Sequence, residues 1–224
     1  MFTRVSLIVF DLDGTLVDSI GDLHRALNLT LAELRCGPLA LARVRSMVGD
    51  GVGQLVSRAL EATGCQSDPQ EAVARYLAHY EADPIACTTV YPGVRATLEA
   101  FRHEGIPLAV LTNKLSRSTQ LVLERLDLAR YFARVVSGDS LQFRKPDPRV
   151  LLAVLADFSA RPAESLMVGD SEVDADTARA AGVPFVQMTY GYHRAPLEDI
   201  PSAAKLADFA ALGGLVAGRA TPNG

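Results

Sequence analysis

The sequence predicts an α/β fold, a doubly wound parallel sheet with a helical unit inserted after its first strand. From residue 91 onward, short apolar strand patterns alternate with patterns typical of amphipathic helices. Such alternation favours a parallel sheet that is covered by helices on both faces. The first apolar run, residues 5–10, is separated from that series by a long stretch with helical spacing alone. An insertion between the first strand and the rest of its own domain is the simplest explanation.

Length, composition and charge limit the class of protein. The chain has 224 residues, 49% of them hydrophobic, which is enough for one large domain or a core with a smaller insertion. A net charge of −4 without a long basic block argues against a nucleic-acid partner. The chain shows neither a signal-peptide pattern nor a membrane-spanning segment, so we expect a cytoplasmic protein without a membrane partner. The odd, scattered set Cys36, Cys65 and Cys87 predicts reduced thiols rather than disulfides or a zinc site.

The inserted unit is predicted to span residues 18–88 and to contain only helices. Asp18 and Ser19 can cap a first helix, a short second helix follows near residue 44, and a third begins near residue 52. Asp68 before Pro69 marks the start of the last one. Residues 1–17 and 89–224 then form the core, with hinges near residues 17–18 and 89–92.

The elements of the core follow from apolar spacing and from caps. A helix that carries Val94 and Leu98 precedes a strand at 108–111, and a helix at 116–126 precedes a strand at 133–136. Asp147 and Pro148 begin the next helix. A strand at 166–168, a helix ending at Gly182 and a strand at 185–188 come next, and residues 202–216 hold one more strand and helix. Residues 221–224 are expected to fray.

Polar residues follow the strands of the core where each strand ends. Asp11 and Asp13 come directly after the first strand, Thr112 after the strand at 108–111, and Asp170 after the strand at 166–168, while Lys145 precedes a helix. In open parallel sheets, ligands bind at the carboxyl ends of the strands, so these groups are expected to converge. Carboxylates at the end of a buried strand are costly without a partner, and oxygen ligands of this kind suit Mg²⁺.

Each of these residues has a chemical role that its type allows. Asp11 can attack phosphorus as a carboxylate nucleophile, and Asp13 can act as general acid and base, or else be a second metal ligand or a turn residue. Thr112 can donate to a phosphoryl oxygen, although a lone threonine there is more often a cap. Lys145 can offset the repulsion between Asp11 and the phosphoryl group, unless it is an ordinary solvated lysine.

Further residues are candidates for supporting roles. Asp170 can coordinate the metal directly, and Asp174, one helical turn later, can act through a water or orient Lys145. The loop of Gly49, Asp50 and Gly51 can present backbone N–H groups to an anionic substrate end or serve only as a connector. Three cations are candidates to meet a substrate carboxylate, each with ordinary surface charge as the alternative: Arg43, Arg45 and Lys114.

Four motifs in this order resemble those of the haloacid dehalogenase superfamily. They are Asp11-Leu-Asp13-Gly-Thr15, Thr112-Asn113, Lys145-Pro-Asp147-Pro and Gly169-Asp170-Ser-Glu-Val-Asp174. The wider sequence around them, including Val48-Gly49 with Gly51, Thr112-Asn113-Lys114 and residues 144–148, resembles the bacterial phosphoglycolate phosphatases most closely. The resemblance implies a Rossmann-like core, a C1-type helical cap and a Mg²⁺ cofactor. It implies metal ligands from Asp11, Asp170 and the main-chain carbonyl of Asp13, and a phosphate site made by Thr112, Asn113 and Lys145.

The expected function is therefore a magnesium-dependent phosphatase of a small phosphorylated metabolite, with 2-phosphoglycolate as the substrate that the resemblance favours. Another small ester, such as a sugar phosphate or a nucleotide, is the main alternative. A non-catalytic phospho-acceptor module is the other class; it lacks a helical insertion, and Asp13 argues against it because that carboxylate would make an acyl phosphate turn over. The related dehalogenases lack the second aspartate of the first motif. A monomer or a homodimer is expected.

Overall fold

The computed structural model describes residues 5–217 and contains a six-stranded parallel sheet. The strand order is β5-β4-β1-β6-β7-β8, with β1 near the centre. Two further strands form a separate antiparallel pair. The strands are β1 (Leu7–Phe10), β2 (Val17–Asp18), β3 (Thr89–Val90), β4 (Leu108–Leu111), β5 (Arg134–Val136), β6 (Ser165–Gly169), β7 (Phe185–Met188) and β8 (Ala204–Leu206).

Helices follow most strands of the sheet, as the alternating pattern predicts. The helices are α1 (Ile20–Glu33), α2 (Leu41–Arg45), α3 (Val52–Thr63), α4 (Pro69–Ala82), α5 (Val94–His103), α6 (Ser116–Arg125), α7 (Pro148–Asp157), α8 (Glu172–Ala181) and α9 (Ala211–Val216). The prediction of an α/β fold with a doubly wound parallel sheet is confirmed.

The two faces of the sheet belong to two hydrophobic clusters. In β1, Ile8 and Phe10 face the cluster that includes α5 and α9, while Leu7 and Val9 face the cluster that includes α7 and α8. Successive side chains of a strand point to opposite faces, so a strand buried on both sides must be apolar at every position. This explains why the run at the N-terminus shows no alternation of polar and apolar residues.

Helices α1 to α4 lie in the chain between β2 and β3. These two short strands pair antiparallel, Val17 with Val90 and Asp18 with Thr89, at the places predicted for the hinges. Helix α1 packs against α2 and α4, and α3 packs against α4. The cluster on the β1 face that contains Phe10 continues through Leu16 into α1, α3 and α4, so apolar packing joins the insertion to the core. The boundaries 18 and 88 stay a prediction.

The prediction of reduced cysteines is wrong for two of the three. Cys36, just after α1, and Cys65, just after α3, form a disulfide with a Cα–Cα distance of 5.7 Å, and only Cys87 is free. Their sequence separation of 29 carries no signal of the pairing, because the packing of the inserted helices brings the two helix ends together. The expectation of fraying at 221–224 lies outside the described residues. No helix within residues 5–217 has the length and apolarity needed to cross a membrane.

Candidate active site

The predicted site residues at three strand ends lie side by side. In the sheet, β1 lies between β4 and β6, so the residues that follow these strands are neighbours: Asp11, Thr112 and Asp170. This edge is the carboxyl end of the parallel strands, where ligands bind in folds of this kind. The parallel topology therefore brings together groups that are far apart in sequence.

The Asp11 carboxylate is 9% exposed and has an oxygen without a hydrogen-bond partner. Its Oδ1 lies 2.9 Å from Lys145 Nζ, close enough for an ion pair but without hydrogen-bond geometry. Burial raises the pKa of Asp11 to about 7, against the opposing effect of the Lys145 charge. Asp11 is thus a poorly solvated carboxylate that is paired with a lysine but has an oxygen without a hydrogen bond, which suits both a nucleophile and a metal ligand.

Lys145 is 3% exposed and lies between two carboxylates. Its Nζ is 2.6 Å from Asp174 Oδ1 as well as 2.9 Å from Asp11, and these charges raise its pKa above the usual range despite burial. Asp174 is itself held by a capping box at the start of α8, because its Oδ2 accepts from the backbone N–H and hydroxyl of Ser171. These contacts fit the alternative in which Asp174 orients Lys145.

Three carboxylates form the one acidic cluster of metal-binding geometry found within residues 5–217. Asp11, Asp170 and Asp174 each place one oxygen within 4.8 Å of the others. Burial, with the charges of Asp174 and Asp11, raises the pKa of Asp170 well above its usual range. A divalent cation would relieve this repulsion, and hard carboxylate oxygens suit Mg²⁺.

The Asp170 carboxylate is held in a tight cradle. Its Oδ1 accepts from the Thr15 hydroxyl at 2.9 Å, and its Oδ2 accepts from the backbone N–H of Tyr192 at 2.5 Å. A Cβ at Gly14 or Gly191 would overlap this carboxylate, and Gly14 has a φ of +85°, which other residues rarely adopt. The glycine of the first motif thus serves the site by allowing the turn to approach Asp170.

The Asp13 side chain is directed away from the acidic cluster and toward Lys114. Its two oxygens accept from Lys114 Nζ at 2.8 and 2.9 Å, and Oδ1 also accepts from the Ser19 hydroxyl at 2.6 Å. Both Asp11 and Asp13 line one cleft between the core and the inserted helices. This placement is compatible with a general acid and base that faces the nucleophile across a bound substrate.

Thr112 and Asn113, the two residues of the second motif, make different contacts. Thr112 lines the cleft, and its hydroxyl accepts from the backbone N–H of Lys114 at 3.2 Å. The Asn113 side-chain amide donates to the carbonyls of Gly49 and Lys145, both at 3.0 Å, so it joins the loop before α3 to the core. Its Oδ1 is buried without a hydrogen-bond partner among the described residues.

The candidate specificity residues separate into those in the cleft and those outside it. Gly49, Gly51 and Lys114 line the cleft. Asp50 instead pairs with Arg58 at 2.5 Å and with Arg194.

Two of the three candidate cations lie outside the cleft. Arg45 donates to the carbonyls of Tyr190 and Gly191 at 2.7 and 2.8 Å, so it joins the inserted helices to the core. Arg43 lines a separate depression on the inserted helices. Of the three cations predicted to meet a substrate carboxylate, only Lys114 lines the cleft.

A loop after β7 contains site residues that sequence reasoning missed. The Tyr192 hydroxyl donates to Asp18 at 2.6 Å and accepts from the backbone N–H groups of Ser19 and Ile20, while its own N–H holds Asp170. Tyr192 therefore joins the acidic cluster to the first hinge. One signal was available: this loop, like Thr112, directly follows the carboxyl end of a strand in the sheet.

Comparison with known proteins shows which family the chain belongs to. Residues 8–188 match the model of the haloacid dehalogenase-like hydrolase family. The chain belongs to this family. It is 47% identical to a phosphoglycolate phosphatase of Rhodospirillum rubrum over 92% of this chain and 88% of that protein. It is 41% identical to one of Rhodobacter capsulatus over 94% and 96% of the two chains.

Solved structures agree with the family. A crystal structure described as a predicted phosphoglycolate phosphatase from Haemophilus somnus aligns with a TM-score of 0.90 and 29% identity, over 96% of this chain and 99% of that one. The resemblance inferred from the four motifs is thereby confirmed, and the chain is a hydrolase of this family.

Proposed function

We propose that this hydrolase is a magnesium-dependent phosphatase that converts 2-phosphoglycolate to glycolate and phosphate through an aspartyl-phosphate on Asp11. The observation that carries the proposal is the buried Asp11 carboxylate, which has an unpartnered oxygen and opens into a cleft beside Lys145. The names of the relatives at 47% and 41% identity support the choice of substrate.

The first half of the reaction transfers the phosphoryl group to Asp11. An Asp11 oxygen forms a bond to phosphorus while the ester P–O bond breaks, and Asp13 gives a proton to the departing oxygen of glycolate. In the second half, Asp13 takes a proton from a water that attacks the phosphorus. The acyl phosphate bond then breaks, which releases phosphate and restores Asp11.

The surrounding groups act on charge and orientation. Lys145, held by Asp174, keeps a positive charge beside Asp11 and lessens the repulsion between this carboxylate and the phosphoryl oxygens. The Thr112 hydroxyl is placed in the cleft to donate to a phosphoryl oxygen. Mg²⁺ held by Asp11 and Asp170 would neutralise charge on the transferring group.

The size of the cleft favours a small ester. Its solvent-accessible interior measures ≈ 70 Å³. A two-carbon phosphate ester suits a space of this size.

Initial rates on a panel of phosphate esters test the proposal. The panel contains 2-phosphoglycolate, sugar phosphates and nucleotides, measured with Mg²⁺ and again after chelation, for the wild type and for Asp11→Asn. We expect the highest kcat/KM for 2-phosphoglycolate, near-zero rates in chelator that Mg²⁺ restores, and loss of activity in the variant. A far higher kcat/KM for another ester would refute the substrate, and full activity in chelator would refute the metal dependence.

We also propose a cellular location, a class of partners and an oligomeric state for the enzyme. A cytoplasmic enzyme that acts on a small phosphorylated metabolite, without a nucleic-acid or membrane partner, is consistent with the acidic net charge of −4. The state is proposed to be a monomer or a homodimer, which sedimentation of the purified protein would distinguish.

A further inference from the structure

The cleft contains one cation among the described residues that line it, Lys114. Its side chain is 7% exposed, and its Nζ lies between the Asp13 carboxylate, at 2.8 Å, and the face of the Tyr80 ring, 4.6 Å from the centroid. A buried ammonium at the side of a cleft whose roof is mainly aliphatic is well placed to meet an anionic group of a ligand.

Tyr80 adds a second polar group at the same place. It comes from α4, is 1% exposed and lines the cleft, and its ring stacks on Tyr76 with centroids 6.0 Å apart. Its hydroxyl lies beside Lys114 but makes no hydrogen bond of acceptable geometry within the described residues. A buried hydroxyl without a partner is costly, so this donor points to an acceptor that a ligand brings.

The other side chains of the roof offer no charge to an anion. The inserted segment contributes mainly aliphatic side chains to the cleft, with Gly49 and Gly51 adding only backbone groups, and the core contributes Asp11 and Thr112 on the floor. The aliphatic residues are Leu23, Val48, Val52, Leu55 and Leu77. A substrate whose phosphoryl group lies at Asp11 therefore finds a cation and a free hydroxyl only at the Lys114 and Tyr80 corner.

We propose that Lys114 and Tyr80 form a distal subsite that binds the carboxylate of the substrate and selects phosphate esters carrying one. The inference rests on the proposed phosphatase function and deepens it. Tyr80 belongs to the inserted helices and Lys114 to the core, so the subsite is complete only when the two parts are in contact.

The subsite also affects the residue proposed as general acid and base. Lys114 now donates to both oxygens of Asp13. When a substrate carboxylate accepts a hydrogen bond from Lys114 Nζ, the lysine no longer donates to both oxygens of Asp13. The freed Asp13 oxygen can then exchange a proton with the departing group. An ester without a carboxylate leaves the Lys114–Asp13 pair in place. Selectivity is therefore expected in kcat as well as in KM.

The test compares two esters of equal length, 2-phosphoglycolate and 2-hydroxyethyl phosphate, in which a hydroxymethyl group replaces the carboxylate. Lys114→Met is expected to lower kcat/KM for 2-phosphoglycolate about 50-fold, and Tyr80→Phe about 10-fold, because each removes a hydrogen bond to a charged group. For 2-hydroxyethyl phosphate, Lys114→Met loses only the contact with Asp13 and Tyr80→Phe loses no bond to the ester, so the loss for this ester is expected to be smaller. The readout is the ratio of kcat/KM for the two esters, which is expected to fall at least about fivefold in each variant.

Matched controls come from the same residue types outside the cleft. Lys205→Met changes an exposed lysine, and Tyr131→Phe removes a hydroxyl that Arg130 contacts. Both controls are expected to keep the wild-type ratio of kcat/KM for 2-phosphoglycolate to kcat/KM for 2-hydroxyethyl phosphate. Tyr80→Phe is also expected to melt at or above the wild-type temperature, because the hydroxyl that it removes has no partner.

The outcomes separate the inference from the function on which it rests. Equal losses for both esters in Lys114→Met would show that this lysine only positions Asp13, and would overturn the subsite while the phosphatase function stands. The same change of ratio in a control would also overturn it. A wild type that does not prefer 2-phosphoglycolate to 2-hydroxyethyl phosphate would overturn both the subsite and the proposed substrate.

Discussion

The floor of the site and the parts that cover it are built in different ways. On the floor, Asp11, Lys145, Asp170 and Asp174 are all nearly inaccessible to solvent and contact one another or the ends of the strands. Over the floor, apolar packing joins the core to the inserted helices, and the polar contacts between them are made by single side chains, such as Asn113 to Gly49.

The two regions are therefore suited to different steps of catalysis. Buried charges cannot be moved without a large cost, so the floor is suited to chemistry that is the same for every substrate. Contacts at the interface with the inserted helices are partly exposed and can break and reform, so that region is suited to admitting and selecting substrates. Substitutions in the two regions should therefore differ in size and in kind.

The largest effect is expected for Lys145→Met. Loss of the ammonium leaves Asp11 and Asp174 unpaired beside the phosphoryl group, so we expect kcat to fall about 10³-fold. The free energy of unfolding should also fall at neutral pH in metal-free protein, because two buried carboxylates lose their cation. Steady-state kinetics and urea unfolding measure these effects, with Lys205→Met as the control. Retention of more than a tenth of the activity would contradict the role given to the floor.

Metal binding provides a readout that does not depend on turnover. Saturating Mg²⁺ is expected to raise the Tm of the wild type by about 5–10 °C, because only the folded chain assembles the acidic cluster. Asp170→Asn removes one ligand and should lose most of this increase. Thermal melts with and without Mg²⁺ measure it. An equal increase in the variant would place the cation elsewhere.

A smaller effect is expected for Tyr192→Phe at the hinge. The change removes the hydroxyl that contacts Asp18, Ser19 and Ile20 but keeps the backbone N–H that holds Asp170. The Ser19 N–H loses its acceptor, and the Ile20 N–H keeps only a longer bond to Asp18 at 3.3 Å. We therefore expect a loss of about 1–2 kcal/mol in the free energy of unfolding and about a tenfold lower kcat. Tyr131→Phe serves as the matched control. An unchanged kcat in Tyr192→Phe would show that the hinge contact does not affect turnover.

The smallest effect is expected for Arg194→Gln at the rim. Arg194 pairs with Asp50 on the insertion and with Glu172 at 2.6 Å on the core, and both arginine partners of Asp50 keep the pKa of this carboxyl below its usual value against the effect of burial. Because these ion pairs are partly exposed, we expect Arg194→Gln to lower the free energy of unfolding by less than about 1 kcal/mol and to change KM at most twofold.

The pH dependence of this contact has a definite sign. Because the pKa of Asp50 is lower in the folded protein than its ordinary value of 3.8, the stabilisation is present above that pH and is lost as the pH falls below it. The difference in unfolding free energy between wild type and Arg194→Gln should therefore shrink below pH 4. A difference that grows in acid would contradict the assignment.

Prediction from the sequence succeeded where local patterns decide the structure. The strands Leu108–Leu111 and Phe185–Met188 were predicted with their observed bounds, since largely apolar runs end at polar or turn residues. Helix α4 begins at Pro69 with Asp68 as its cap, as predicted from these two residues. The positions of Asp11, Thr112 and Asp170 followed from one rule about parallel sheets.

Prediction was incomplete where distant segments meet. Sequence alone left Asp174 with two roles and gave Arg43, Arg45 and Lys114 equal standing, because a side chain's partner depends on which elements pack together. The Cys36–Cys65 disulfide and the contacts of Tyr192 with both Asp170 and the first hinge were missed for the same reason.

The sequence by itself determined the α/β class, the order of the elements and the chemical types at the ends of the strands. These depend on hydrophobic periodicity and caps, which act over a few residues. The tertiary structure alone decided that Lys114 and Tyr80 share one corner of the cleft, that Arg45 binds backbone carbonyls and that Asp13 lies beside a lysine. Those contacts depend on how the inserted helices pack on the core, and no local pattern encodes that packing.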